Sequence, residues 1–241
     1  MLSAFPPAFF ITGTDTGVGK SIFSAFLALA FSEQGKKVAI SKPIQTGEEK
    51  DTDLLKSLTG NKIDVFNTYS FKLPAAPIVA ARYENKEIDV EKIISDVKSL
   101  EDKYDVVIVE GIGGIAVPIV NNVIARSVAT KQSQDVYLVA DLIKDLDYPA
   151  VVVCRSSLGT INHSVLTIEF ANKKNLNLLG FVISGYDENT SDPMIKTAPE
   201  IISEMTKIQC IMKLSKVKNL SYESVKSMVI GLAIGKTNML V

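Results

Sequence analysis

Positive charge is absent where an export signal would need it. The first nineteen residues contain no Lys or Arg, so the apolar run Ala8-Phe9-Phe10-Ile11 does not read as a secretory leader. No apolar run is long enough for a membrane span. The richest, Ile22 to Phe31, is about half the roughly twenty residues that a span requires, and Ser24 interrupts it. Cysteine is scarce: Cys154 and Cys210 are the only two, too few for a disulfide framework and too far apart for a metal-binding pair. Both read as core residues, and a cytoplasmic protein is expected. An excess of one charge is also missing, with 26 Lys+Arg against 27 Asp+Glu and a net charge of −1. No global field is available to hold nucleic acid or an anionic membrane surface, so any bound anion must be held locally. No repeat, low-complexity tract or Pro/Gly/Ser linker divides the 241 residues, and one domain is expected. With 46% hydrophobic and 22% charged residues, the chain can bury a sizeable core.

What is present alternates. Ala8 to Thr12 reads as a strand, Gly19 to Gln34 as a helix closed by Gly35, and Lys37 to Ile40 as a second strand. Asp51 to Leu58, Ala76 to Glu84 and Val90 to Lys103 read as helices. The run Asp105-Val106-Val107-Ile108-Val109 is apolar after its first residue, as are Ala150 to Cys154 and Leu178 to Ile183, with a helix over Thr160 to Lys174 between the last two. Strands without polar alternation, separated by helices, predict an α/β fold whose mostly parallel sheet is covered on both faces. Two regions resist this reading: Gly185 to Asp192 looks turn-like, and polar residues in Ile119 to Val136 precede a strand-like Val136-Tyr137-Leu138.

The chemistry is concentrated where the first strand meets the first helix, in Gly13-Thr14-Asp15-Thr16-Gly17-Val18-Gly19-Lys20-Ser21. Glycines there let backbone N–H groups converge on phosphate oxygens, and the helix N-terminus adds its dipole. Lys20 can reach the β- and γ-phosphates, and the Ser21 hydroxyl can ligate Mg²⁺. The G-x-x-x-x-G-K-[ST] pattern is not met to the letter, because Thr14 stands at its first position and Gly13 comes one residue earlier. A Mg²⁺ ion would need carboxylates from elsewhere. Glu110 follows an apolar strand and precedes Gly111-Ile112-Gly113-Gly114, where the alternative is a solvated turn carboxylate. Asp53 competes with a helix-capping reading, in which Asp51 is the better cap. Lys42, in Lys42-Pro43-Ile44-Gln45-Thr46-Gly47, follows the second strand and either projects into the same crevice or is a loop lysine in water.

Four blocks, Gly13 to Lys20, Lys42-Pro43 with Gly47, Glu110 to Gly114, and Leu158-Gly159-Thr160-Ile161-Asn162-His163, occur in an order that resembles the dethiobiotin synthetases of biotin synthesis. The resemblance implies a P-loop NTPase-like fold and a reaction. ATP and CO₂ convert 7,8-diaminononanoate to a cyclic urea by way of a carbamate that is phosphorylated and then closed by the second amine. It implies that Thr16, Gly17, Val18, Gly19, Lys20, Ser21 and Ile22 surround the phosphates, that Gly111 and Gly113 lie beside them, and that Ser184 and Gly185 face the base. Ser21, Asp53 and Glu110 would hold Mg²⁺. Lys42 becomes a catalytic lysine together with Lys20, and Thr46 and Thr16 contact substrate. Thr160, Ile161 and Asn162 open a helix whose N–H groups receive the substrate carboxylate, and His163, the only histidine, is structural. The family implies a homodimer in which this helix start serves the neighbouring site.

The chain departs from that pattern in places. Ser184-Gly185 stands where the family usually offers Asn to adenine. Met212-Lys213-Leu214-Ser215-Lys216 replaces an apolar-Pro segment, and Ile119 to Val136 is longer than the family's connection. Two other readings share the phosphate loop. A cobyrinate-type amidoligase would carry an extra glutaminase domain, for which 241 residues leave no room. A partition-type ATPase switch usually has a lysine five residues before the loop lysine, where this chain has Asp15.

Overall fold

The computed structural model describes Leu2 and residues 5–121, 136–217 and 219–233. In chain order the elements are β1 (Ala8–Gly13), α1 (Lys20–Glu33), β2 (Val38–Ser41), β3 (Ile44–Thr46), α2 (Asp51–Leu58), β4 (Asp64–Phe66) and β5 (Tyr69–Phe71). Then come α3 (Pro77–Tyr83), α4 (Val90–Lys98), β6 (Val106–Glu110), β7 (Pro118–Asn121), β8 (Val136–Leu138) and α5 (Val139–Leu146). The chain continues through β9 (Ala150–Arg155), α6 (Thr160–Lys173), β10 (Leu178–Tyr186), α7 (Pro193–Thr206), β11 (Cys210–Ser215) and α8 (Tyr222–Ala233).

Seven strands form one sheet in the order β11-β10-β9-β1-β6-β2-β4, and every pairing in it is parallel. All six residues of β1 are buried, because helices cover both faces of the sheet. Phe9 and Ile11 pack with α1, α2 and α8 side chains such as Phe26, Leu55 and Val225. Phe10 turns the other way, into a cluster with Ile93 of α4 and Ile143 of α5. Helix α1 lies beneath other elements, which explains its apolar run: every residue from Phe23 to Phe31 is buried. Two small sheets stand apart, parallel β3-β5 and antiparallel β7-β8.

From β1 the chain moves out to β2 and β4, returns to β6 beside β1, then crosses to β9 on β1's other edge. Loops after β1, β2, β6 and β9 therefore open at one C-terminal edge, where open α/β sheets bind ligands.

Several expectations need correction. Helix α4 ends at Lys98, with Ser99 as its C-cap, five residues short of the predicted Lys103. Strand β10 runs through Tyr186, so the turn-like stretch begins later than Gly185. A register shift between Ser184 and Tyr186 and Gly185 at φ 75° mark an irregularity in the strand, which reads locally as a turn. Met212 to Ser215 belong to β11, a full member of the sheet. Helix α7 starts behind Asp192, whose carboxylate accepts from Met194 N–H, with Pro193 in the first turn. Of the long stretch 119–136, residues 122–135 lie outside the described residues; the ends that are described form β7 and β8.

Candidate active site

The phosphate loop spans the turn from β1 to α1. Thr14 N–H donates to Val153 O at 3.0 Å, anchoring the loop to β9. Gly19 caps α1 in the left-handed region at φ 102°, and a Cβ on it would collide with the Ser184 side chain. Both facts require glycine there. Val18 is buried, Ser21 and Ile22 are half-buried in the first turn of α1, and Gly113 and Gly114 lie against Thr16 and Thr14.

Lys20 is buried, and its ammonium donates to Asp15 O at 2.9 Å. Burial, reinforced by the nearby charge of Lys42, lowers its pKa to about 8. One residue on, the Ser21 hydroxyl donates to Glu110 Oε1 at 2.8 Å. Glu110 ends β6 and is fully buried, which rules out the solvated turn carboxylate.

Lys42 is the centre of the cluster. At 2% exposure it is not a loop lysine in water. Its Nζ donates to Glu110 Oε1 at 2.9 Å and to Gly111 O at 2.9 Å, and lies 2.6 Å from Asp51 Oδ2. Burial alone would depress the Lys42 pKa, but the charges of Glu110 and Asp51 outweigh it and hold the ammonium above the usual lysine value. Its backbone is fixed by Lys42 N–H to Phe66 O and by the Asn67 amide donating to Lys42 O. Gln45 Oε1 accepts from Thr52 N–H at 3.1 Å and so pins the start of α2 against this loop.

The structure brings Lys20, Ser21, Lys42, Glu110 and Gly111 together. Asp53 is not among them. It lies exposed on α2, and Asp51 faces Lys42 instead. Residues two apart point to nearly opposite sides of a helix, so only one of the two can face the crevice. Asp51 is not the cap either: Lys50 holds the N-cap position without a side-chain hydrogen bond, and Asp51 sits in the first turn. Helical phase relative to Lys42 was the signal that separates the two aspartates. A second residue missed from sequence is Arg155, at the end of β9, whose guanidinium pairs with Asp15.

Thr46 ends β3, half-buried. Thr160 is buried at the start of α6 with Oγ1 unpartnered among the described residues, while Asn162 and His163 are exposed. Gly159, left-handed at φ 88°, caps that helix. Ser184 is buried against Gly19, and space beside Gly185 is open.

Residues 7–224 match a family model described as "AAA domain". The chain is 37% identical over 204 residues to the ATP-dependent dethiobiotin synthetase BioD of Methanococcus vannielii, covering 84% of this chain and 90% of that one. It is 34% identical over 228 residues to the protein of the same name from Bacillus subtilis, covering 92% of each. Among solved structures, a ParA family ATPase from Chlorobium tepidum superposes with TM-score 0.56 at 13% identity, covering 95% of this chain and 93% of that one. The MinD cell division protein of Aquifex aeolicus gives 0.55 at 16%, covering 97% and 99%. These distant structures establish a shared P-loop fold, and sequence identity over most of the length goes further: the chain belongs to the dethiobiotin synthetase family.

Proposed function

We propose that this chain performs its family's reaction, closing 7,8-diaminononanoate and CO₂ (or bicarbonate) to dethiobiotin with ATP as phosphoryl donor, in the cytoplasm. One observation supports the residue assignment: Ser21 of the phosphate loop and the more open Asp51 converge with buried Lys20, Lys42 and Glu110 in a single cluster.

The donor set also fits Mg²⁺. A hydroxyl and two carboxylates are hard oxygen ligands, and Glu110 Oε2 is buried without a hydrogen-bond partner among the described residues. Among those residues no three His, Cys, Asp or Glu side chains gather into a metal site, but Mg²⁺ on a nucleotide takes only one or two carboxylates and fills its shell from phosphates and water. Ser21, Asp51 and Glu110 are its proposed holders, with Asp51 in the place first given to Asp53. Bound there, Mg²⁺ would neutralise charge developing on the phosphates.

The remaining steps use the chain's own groups. A carbamate and a triphosphate repel, so cations must bring them into line. Lys20 leaves the Asp15 carbonyl for the transferring phosphoryl group. Lys42, held charged by its two carboxylates, faces the incoming carbamate oxygen. Thr16 and Thr46 position substrate, and the N–H groups of Thr160, Ile161 and Asn162 receive a carboxylate tail. A homodimer is part of the proposal. Leu158, just before the Gly159 cap of α6, and Leu166, on α6, are 87% and 62% exposed, apolar surface near the α6 start that a second copy would cover. A monomer in sedimentation at assay concentration would remove the dimer. Among the described residues no helix is long and apolar enough to cross a membrane.

The experiment is phosphate release from MgATP and bicarbonate, with and without the diamine. Release that depends on the diamine and yields the cyclic urea is expected; release indifferent to it would favour an ATPase switch.

A further inference from the structure

Within the phosphate loop, Gly13 to Ser21, there is one carboxylate, Asp15, five residues before Lys20. All of its acceptor groups are engaged. Oδ1 accepts from Thr16 N–H at 2.7 Å, the carbonyl accepts from Lys20 Nζ at 2.9 Å, and Oδ2 is paired with Arg155 Nη2 at 2.7 Å. Arg155 comes from outside the loop. It ends β9, two residues beyond Val153, which pairs with Gly13 of β1, and on its other side it is in register with Ser184 of β10. The guanidinium therefore rises at the C-terminal edge of the sheet, between the loop and the end of β10.

The Arg155 and Asp15 side chains are 42% and 59% exposed, and a pair so wetted adds little to folding. Its consequence is local. An unpaired Asp15 would set a negative charge against the incoming phosphates, and its carboxylate would be free to leave Thr16 N–H. Arg155 answers both: it cancels the charge and, by holding Oδ2, keeps Oδ1 turned to the backbone of the loop.

We infer that Arg155 is a positioning residue for the nucleotide, acting through Asp15 by neutralising the only carboxylate in the phosphate loop and fixing that loop's shape. The inference rests on ATP being the phosphoryl donor and concerns the binding step alone.

The test is the affinity of the full chain for MgATP, by calorimetry, in the wild type, Arg155→Gln, Asp15→Asn and the double variant, with thermal melting alongside. Arg155→Gln is expected to weaken MgATP by about tenfold, the effect of one like charge left near a phosphate at a protein surface, with little change in melting. Asp15→Asn removes the charge but keeps an oxygen for Thr16 N–H. In the Arg155→Gln background it is therefore expected to restore affinity to within about threefold of wild type, the residue of a weak exposed pair. Affinity unchanged in Arg155→Gln overturns the inference. A double variant as weak as Arg155→Gln overturns it too, because Arg155 would then touch the nucleotide directly. Should Arg155→Gln fail to fold, Arg155→Lys keeps the charge, and a loss of affinity in it as large as about tenfold counts against the inference. A wild-type chain that does not bind MgATP fails the ATP reading itself, a result separable from all of these.

Discussion

The Lys42 ammonium lies 2.9 Å from Glu110 Oε1, with the two side chains 2% and 0% exposed. A buried pair of this kind owes its existence to both members, since each offsets the other's desolvation. Asp51 at 2.6 Å adds a second carboxylate from the more open side. If the proposed function holds, the cluster serves chemistry and fold together, and variants can separate the two.

Lys42→Met is expected to lose catalysis and also about 3–5 kcal/mol of stability, because Glu110 is left as a buried charge without its partner. The double variant Lys42→Met/Glu110→Gln removes both charges and is expected to regain much of that stability while staying inactive. Urea unfolding of the two proteins makes the comparison. A Lys42→Met protein as stable as wild type would show that water reaches Glu110.

The two aspartates of α2 make opposite predictions. Asp51 faces Lys42, whereas Asp53 is exposed on the helix. Asp51→Asn keeps shape but removes an anion from the proposed metal shell, so half-maximal turnover should require several-fold more Mg²⁺; Asp53→Asn should leave the requirement where it is. A MgCl₂ titration of phosphate release decides. The reverse pattern would return Asp53 to the metal.

That contrast marks what sequence could convey. The placement of the phosphate loop, Lys42 and Glu110 at one edge was legible because each lies at the end of an apolar strand, and strand ends in a parallel sheet share one destination. Asp51 against Asp53 turned on helical phase, which depends on how Gln45 and Lys50 set the first turn of α2. The Asp15–Arg155 pair joins residues 140 positions apart and leaves no local trace. Strand β10 was cut short in the reading because Gly185 resembles a turn, although a strand that shifts register can carry it. Helix α7 is hard to read from sequence because Pro199 lies inside it, a residue that ordinarily ends a helix.

The thiols give a probe of the fold apart from activity. Cys154 is buried, and burial pushes its pKa up to about 12; Cys210 is raised to about 11 in the same way. The thiolate is the reactive form, so neither should react with iodoacetamide in the native protein at neutral pH. Both should become modified once urea unfolds the chain. Modification of one thiol within minutes under native conditions, read by mass spectrometry, would mean that the β9–β10–β11 edge opens locally.

Nucleotide choice follows from the end of β10. Ser184 presses its side chain toward Gly19, so it faces the underside of the phosphate loop, and the backbone at Gly185 turns away at φ 75° with open space beside it. A site that discriminates strongly between bases does so with buried polar groups that a wrong base leaves unpaired. Neither Ser184 nor Gly185 brings a side-chain amide to this position. Triphosphate binding, in the proposed reading, would rest on loop N–H groups and Lys20, which lie on the phosphate side of the site and not on the base. Relaxed choice is therefore expected: kcat/KM for ATP, CTP and GTP at saturating diamine and bicarbonate should fall within about one or two powers of ten of each other, the span of a pocket with generic contacts. A preference for ATP far beyond that range would show that another group reads adenine. Asn189, beyond the end of β10, and the backbone near Leu214 on the neighbouring strand would then be the groups to replace, since β11 pairs with β10 at Ser184 and so borders the same opening.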